Sequence, residues 1–501
     1  MTASSIGRVS TSQPPPPPGP RLPVAVQTIL FGKYRHRYLP ALRRRYGDTF
    51  MVRIAPHQRK LVLISRPEDI RAVFSGPSTV YHAGEGNSIL GPIMGEHSVL
   101  LLDESEHLRI RQLLMPAFHG AALRGYQDLV TELARAEIAR WPHDRPFKIH
   151  ERMQALTLEI ILQVVFGVSE EDRLAELRPV VTKAVAVRPV VMLGAFYPQL
   201  RTFGPWRRYV EVQQELNRLL YAEIAHRRVT EDVRHRTDVL SMLARSSLNG
   251  PEGLTDAELR DNLITLLLAG HETTATALAW AFHDLARRPD VLVRAQQAAD
   301  AGDADYLHAV AKESMRLHPV IYEVARRLTE PVEVGGFLIP VGATVMPGIG
   351  IVQADPEHHV EPEDFRPERF IGTQPASNTW IPFGGGVRRC LGAGFSLMEA
   401  SAVLAEVLGR FDLAPARPQA EPAVARNITL GPGRGAGVLV TPRSRSGRIP
   451  RLGSDRLPHV TDLDVIRSVD SGWASSVSTG SRRIMTTVRS SSHLVGTRSI
   501  R

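Results

Sequence analysis

Apolar residues recur with the 3.6-residue period of a helix over residues 104–118, 124–141, 153–166, 206–229 and 256–288. The last run is the longest, and it opens on Thr255-Asp256-Ala257-Glu258, whose Thr and Glu three positions apart make a capping-box pattern. Shorter β-like stretches at 50–54, 61–65, 332–334 and 344–347 predict a small sheet beside this helical mass. Residues 1–23 lack any such periodicity. They are Ser/Thr/Pro-rich and end in "QPPPPPGPRLP", a polyproline run that favours an extended, solvated conformation and predicts a flexible arm. After residue 440 the composition turns to Arg, Ser and Gly with few aliphatics, which predicts a disordered tail over 441–501. The expectation is one mainly α domain with a small β region over residues 24–440.

Composition changes this picture in three places. The net charge of +9 suggests nucleic-acid binding until it is located: residues 441–501 carry eleven Arg against four Asp, which is +7 of it, so the domain is nearly neutral. The tail has Trp473 as its one aromatic residue, and without interleaved aromatics it reads as a solvated extension, so no nucleic-acid partner is expected. A single cysteine allows no intramolecular disulfide and predicts a cytoplasmic setting. The chain's start has no apolar h-region, and the most apolar run, 263–268, is too short to span a bilayer, so neither a signal peptide nor a transmembrane anchor is expected.

That cysteine lies in "FGGGVRRCLG", residues 383–392. Glycines at 384, 385 and 386 permit backbone angles closed to other residues and close approach to a flat object. Cys390 directly precedes a helical run, 395–408, and Arg388 and Arg389 stand beside it, a setting that favours a thiolate. A lone thiol can be buried structure, a nucleophile or a metal ligand. No His base lies near it in sequence, and zinc would want several ligands at short spacing. Haem iron asks for one axial thiolate, because the porphyrin fills the equatorial plane.

Phe383-x-x-Gly386-x-Arg388-x-Cys390-x-Gly392 resembles the haem-binding signature of the cytochrome P450 superfamily at all five motif positions. Three further motifs follow that family's order. Glu313-Ser314-Met315-Arg316 and Pro367-Glu368-Arg369-Phe370 resemble its bracing network, which implies that Glu313, Arg316 and Arg369 form a buried cluster behind the cysteine loop. "AGHETT", 269–274, places a Gly, an acid and two hydroxyls inside an apolar helix. The resemblance makes Gly270 room for dioxygen, Glu272 and Thr273 managers of protons, and His271 a helix-face residue. His107-x-x-x-Arg111 resembles a propionate-binding pair. Arg326 occupies another such position, with Arg327 one register along as the alternative.

The resemblance, closest to bacterial, actinobacterial-type members, covers about residues 20–440. It implies haem b held by Cys390 and a monooxygenase that uses dioxygen. No Gly-x-Gly-x-x-Gly after a clear strand marks a flavin or nicotinamide domain, so a separate ferredoxin or flavodoxin system with its reductase is expected to supply electrons. A basic surface near Arg388, Arg389 and the 109–111 segment would receive it. A monomer is expected. The alternatives are a peroxide-driven or isomerising haem-thiolate enzyme, and a haem-binding sensor with a nucleic-acid-associating tail. Substrate-contact segments correspond to 81–100, 187–203, 267–274, 320–324 and 427–430, with Met94, Met192, Leu193, Phe196 and Ile321 as candidate contacts for a lipophilic small molecule. Two departures from the family pattern stand out: 289–305 is short compared with many eukaryotic members, which predicts that a minor connecting helix is missing, and Gln353-Ala354 replaces the common His-Arg before Asp355-Pro356.

Overall fold

The computed structural model describes residues 15–443 apart from 168–170, 186–190, 192–196, 198, 200–201, 230–234 and 249–252. At its centre runs a helix of 30 residues, Asp256–Leu285. The predicted capping box forms: Glu258 N–H donates to Thr255 Oγ1 (3.2 Å), and Thr255 N–H donates to Glu258 Oε2 (2.8 Å). Every residue from 274 to 285 is buried. A helix apolar around its whole circumference can be satisfied only inside the protein, and this one packs along Ile149–Phe166 over much of its length. The helix Ala393–Leu408, which follows the cysteine, packs against Ala121–Ile138 and Ala304–Leu317.

The other expected helices appear at Glu104–Leu114, continued by a tighter turn at Met115–Phe118, and at Gly204–Val229. Sequence patterning missed Val24–Tyr46, which contains Pro40 and three Arg in its last turn. In the stretch 289–305, the helix Pro289–Ala301 is joined to Ala304–Leu317 by Gly302 and Asp303 alone, which accounts for its shortness.

The principal sheet runs Thr49–Ile54, Arg59–Ile64, Thr344–Pro347, Arg326–Leu328, Tyr81–His82 in spatial order, with Arg59–Ile64 parallel to Thr344–Pro347. A separate hairpin pairs Ala423–Arg426 with Thr429–Pro432, and its Leu430 N–H donates to the Val320 carbonyl (2.8 Å). The expected stretch 332–334 forms a strand paired with Phe337–Ile339, whereas Tyr81–His82 and Arg326–Leu328 carry too little alternation to be seen in the sequence.

Two boundary expectations are corrected. The second half of the proline arm is docked: Pro17 and Pro20 are buried, and Met51 N–H donates to the Pro18 carbonyl (2.8 Å). A polyproline segment leaves its carbonyls free and has little freedom left to lose, so it can satisfy an edge strand cheaply. The strand Gly437–Pro442 also carries the fold past residue 440, and Arg443 then pairs with Asp300 (2.7 Å). Residues 1–14 of the expected arm and 444–501 of the expected tail lie outside the described residues. Among the described residues no helix is long and apolar enough to cross a membrane.

Candidate functional site

Cys390 sits between a glycine turn and the start of the helix Ala393–Leu408. Its N–H donates to the Phe383 carbonyl (2.9 Å), closing the loop on itself. Burial pushes the Cys390 thiol up, while the Gly392 N–H aimed at the sulfur and the Arg111 and Arg389 guanidiniums pull it down. Burial outweighs the helix end and the arginines, contrary to the expectation that they alone favour a thiolate. A metal ion at the sulfur would reverse the balance, since a coordinated thiol is deprotonated outright. Although surrounded by protein, the side chain is accessible.

Two of the glycines make a close approach to protein. Gly384 and Gly386 have φ of +67° and +63°, in the left-handed region that favours glycine. A Cβ on Gly386 would stand 1.9 Å from the Phe74 carbonyl oxygen, and one on Gly385 would stand 2.3 Å from the Phe74 ring. Gly385 and Gly386 let the loop press against the end of the helix Pro67–Ser75. Phe383 meets Trp380 edge-on (6.0 Å), and Trp380 meets Phe370 (5.6 Å), which anchors the loop's other end.

Beside the thiol stands a group of cations. Burial and the nearby charges of Arg388, Arg111 and Arg326 pull His107 down to about 3, which places all four side chains in one electrostatic neighbourhood. His107 is buried, and its Nδ1 has no hydrogen-bond partner. Burial also pulls Arg326 and Arg388 down to about 10 each, helped by the Arg388 charge at Arg326 and by Arg111 at Arg388. Strand alternation sends the two candidate arginines to opposite sides. Arg326 is buried with its guanidinium 5.6 Å from the Phe74 ring, whereas Arg327 turns outward and pairs with Glu85 (2.9 Å).

A single carboxylate, Asp103, holds Arg388 (2.5 Å) and also accepts from the N–H groups of Gly84 (2.8 Å) and Glu85 (2.9 Å). Sequence reasoning missed Asp103, whose partners come from distant segments. The basic surface expected near Arg388 and 109–111 is largely taken up internally: Arg109 bonds Glu258 and Arg388 bonds Asp103, leaving Arg389 exposed.

Behind the loop, Glu313 and Arg316 form the expected buried pair, bidentate at 2.7 and 2.9 Å. Glu313 Oε1 further accepts from Arg369 Nε (3.1 Å) and the Arg366 N–H (2.9 Å). Arg316 reaches on to the carbonyls of Gln353 (2.9 Å) and Asp364 (3.2 Å). The departure at Gln353 now has a physical reason. Its amide donates to the carbonyls of Met315 (3.1 Å) and Arg316 (3.2 Å), and its Oε1 accepts from the Ile381 N–H (3.0 Å). It thus ties the end of the helix Ala304–Leu317 to the segment leading into the cysteine loop.

On the central helix, Thr273 Oγ1 donates to the Ala269 carbonyl (2.7 Å). Burial raises the Glu272 carboxyl above its ordinary range, although the Thr429 hydroxyl and Arg426 oppose that rise. His271 is buried against Thr157 (3.2 Å to Oγ1) and pulled down to about 4 by burial, so it is a neutral helix-face residue. A Cβ on Gly270 would stand 2.8 Å from Ile161 Cδ1, which adds a helix-packing reason for this glycine that the sequence did not reveal. Met94 is buried with Leu90 and Ile93 against Leu268, and Ile321 bridges to Thr429. Met192, Leu193 and Phe196 lie outside the described residues. A separate polar cleft of about 400 Å³, lined by Glu96, His97, Gln213 and Arg260, lies toward the start of the central helix, and Cys390 is not part of its lining.

The trio of buried His283 and Asp284 with half-buried His318 has metal-like spacing. However, His283 Nε2 accepts from Arg287 Nε (3.0 Å) and the Glu421 N–H (3.1 Å). Its proton is therefore on Nδ1, committed to Asp284 (2.9 Å), and the trio is a hydrogen-bonded brace.

The donor set fits haem. One accessible sulfur carries a backbone N–H aimed at it, and the guanidiniums of Arg111, Arg326 and Arg388, with the neutral His107 and its orphaned Nδ1 beside them, suit two carboxylates. Fold and site thus define a haem-thiolate protein. The profile of the Cytochrome P450 family matches residues 14–435, and the chain belongs to that family. It is 47% identical to cytochrome P450 135A1 of Mycobacterium tuberculosis, covering 86% of this chain and 96% of that one. It is 43% identical to cytochrome P450 135B1 of Mycobacterium bovis, covering 85% and 91%. Its fold matches "Retinoic acid bound cyanobacterial CYP120A1" with a TM-score of 0.73 at 22% identity, over 86% of this chain and 100% of that one. Membership assigns haem with Cys390 thiolate ligation and monooxygenase chemistry in general.

Proposed function

We propose that this protein is a monooxygenase that receives electrons from separate carriers and hydroxylates a lipophilic small molecule. The observation that carries this reading is that the central helix bearing Glu272 and Thr273 packs against the helix that follows Cys390, where Thr274 Oγ1 meets Ser396 Oγ (3.1 Å). When bound, thiolate-ligated haem supplies O–O cleavage and oxidation of a C–H bond.

The chain's residues supply the rest. Cys390 holds the iron, and the Gly392 N–H moderates the sulfur's charge. His107, Arg111, Arg326 and, alongside Asp103, Arg388 receive the propionates. Gly270 keeps the turn before Thr273 free of a side chain and leaves room for dioxygen. Thr273, whose hydroxyl is tied to Ala269, keeps its oxygen lone pairs available to accept a proton donor, and Glu272 beside it holds a proton within the protein. Leu268, Met94 and Ile321 offer apolar surface to a lipophilic substrate. A ferredoxin or flavodoxin with its reductase is the electron source, and exposed Arg389 is the cation available to meet it.

Isotope labelling separates this from a peroxide-driven enzyme. With ¹⁸O-labelled dioxygen and an electron-transfer system, each hydroxylated product should carry one labelled oxygen. Product that forms only with peroxide, with none of the dioxygen label, would overturn the proposal.

A further inference from the structure

Glu272 makes one side-chain contact that the proton-managing role does not explain. Its Oε1 lies 3.2 Å from Oγ1 of Thr429, a buried residue at the start of the second hairpin strand. The same hydroxyl lies 2.8 Å from the Arg426 carbonyl across the hairpin turn. A threonine hydroxyl has one proton and cannot donate to both oxygens. The shorter contact, to a carbonyl that can only accept, takes it. The contact with Glu272 is then attractive only if the carboxyl itself brings a proton.

Thr429 has little freedom to adopt another arrangement. Its backbone is paired with Arg426 on one side and bridged to Ile321 on the other, and the next residue is bonded to Val320. We propose that Thr429 is a positioning residue for Glu272: it accepts the carboxyl proton on Oγ1 while donating its own to the Arg426 carbonyl, and so stores Glu272 in the protonated state. This rests on the reading of Glu272 as the site's proton holder and names what holds it.

The surroundings agree. Arg426 lies on the hairpin with its guanidinium 3.4 Å from His150 Nδ1, and His150 Nε2 lies 3.2 Å from Thr276 Oγ1, one helical turn beyond Glu272. His150 and His271 are both pulled down to about 4, chiefly by burial, so both are neutral near neutral pH. Arg426 is the charge that acts on Glu272, and it opposes protonation. Burial favours it, and so does Thr429 when its hydroxyl accepts from the carboxyl instead of donating to the carboxylate, the direction in which it would oppose protonation.

The two directions of the hydrogen bond predict opposite signs. The test is an infrared pH titration of the protonated-carboxyl stretch in the haem-loaded protein, with the Glu272 band assigned by its loss in Glu272→Gln. If Thr429 accepts, Thr429→Val removes a partner of the neutral form. The protonated-to-ionised ratio at the wild-type midpoint should then fall roughly five-fold, the worth of one net hydrogen bond. Thr429→Ser should restore it. A ratio that rises in Thr429→Val would mean that the hydroxyl donates to the carboxylate, and an unchanged ratio would mean no coupling; either overturns the proposal. Product coupling unchanged in Glu272→Gln, with the titration as expected, would instead overturn the proton-holding role and leave this hydrogen bond standing.

Discussion

Replacing Glu313 with alanine is expected to destabilise the protein by about 3–5 kcal/mol and to abolish stable haem binding. The carboxylate is fully buried and accepts bonds from Arg316 Nε and Nη2, Arg369 Nε and the Arg366 N–H. Its removal strands the Arg316 guanidinium, itself 1% exposed, with two carbonyls and no counter-charge. Breaking one partner of such a pair costs far more than the intact pair contributes, because an uncompensated charge remains in a low-dielectric interior. Against a typical total stability of about 5–15 kcal/mol this is a large fraction. Chemical denaturation and haem content per chain measure both effects. Glu313→Gln, which keeps shape and some hydrogen bonding, should be less damaging than Glu313→Ala. A loss below about 1 kcal/mol in Glu313→Ala would show that the network does not brace the loop.

The second large effect is at Gly386. An alanine there meets two obstacles: a φ of +63°, worth about 1–2 kcal/mol against an L side chain, and a Cβ 1.9 Å from the Phe74 carbonyl oxygen. Backbone cannot move aside as a flexible side chain can, so the loop carrying Cys390 must shift. Gly384 provides the comparison, since its φ is +67° but no protein atom lies within 4 Å of the place a Cβ would occupy. Gly384→Ala should therefore lose about the dihedral cost alone and keep its haem, while Gly386→Ala should lose most of it. Equal haem content in the two variants would contradict the close-approach argument.

The sequence carried information where a structural demand falls within a few residues. The capping box at Thr255 and Glu258 was legible because both partners lie within one turn. The Cys390 segment and the Glu313–Arg316 pair were legible for the same reason, strengthened by the family resemblance. Contacts between distant segments were not. Asp103 takes its meaning from Arg388, far along the chain, and Gln353 from carbonyls at 315 and 316. Neither partner can be seen by reading forward from the residue. The choice between Arg326 and Arg327 needed the inward side of a three-residue strand. The docking of Pro17 and Pro20 needed an edge at Met51, and composition alone suggested solvent. Thr429 was noticed only as part of a substrate-contact segment, because its partner Glu272 lies on the central helix.

The central claim is that Cys390 is the axial ligand of a haem. Its most direct test is the carbon monoxide difference spectrum of the dithionite-reduced protein. A thiolate-ligated haem gives a far red-shifted Soret band, which the wild-type protein should show and Cys390→Ser should lose. A wild-type protein that binds no haem, or a red-shifted band that survives in Cys390→Ser, would contradict it.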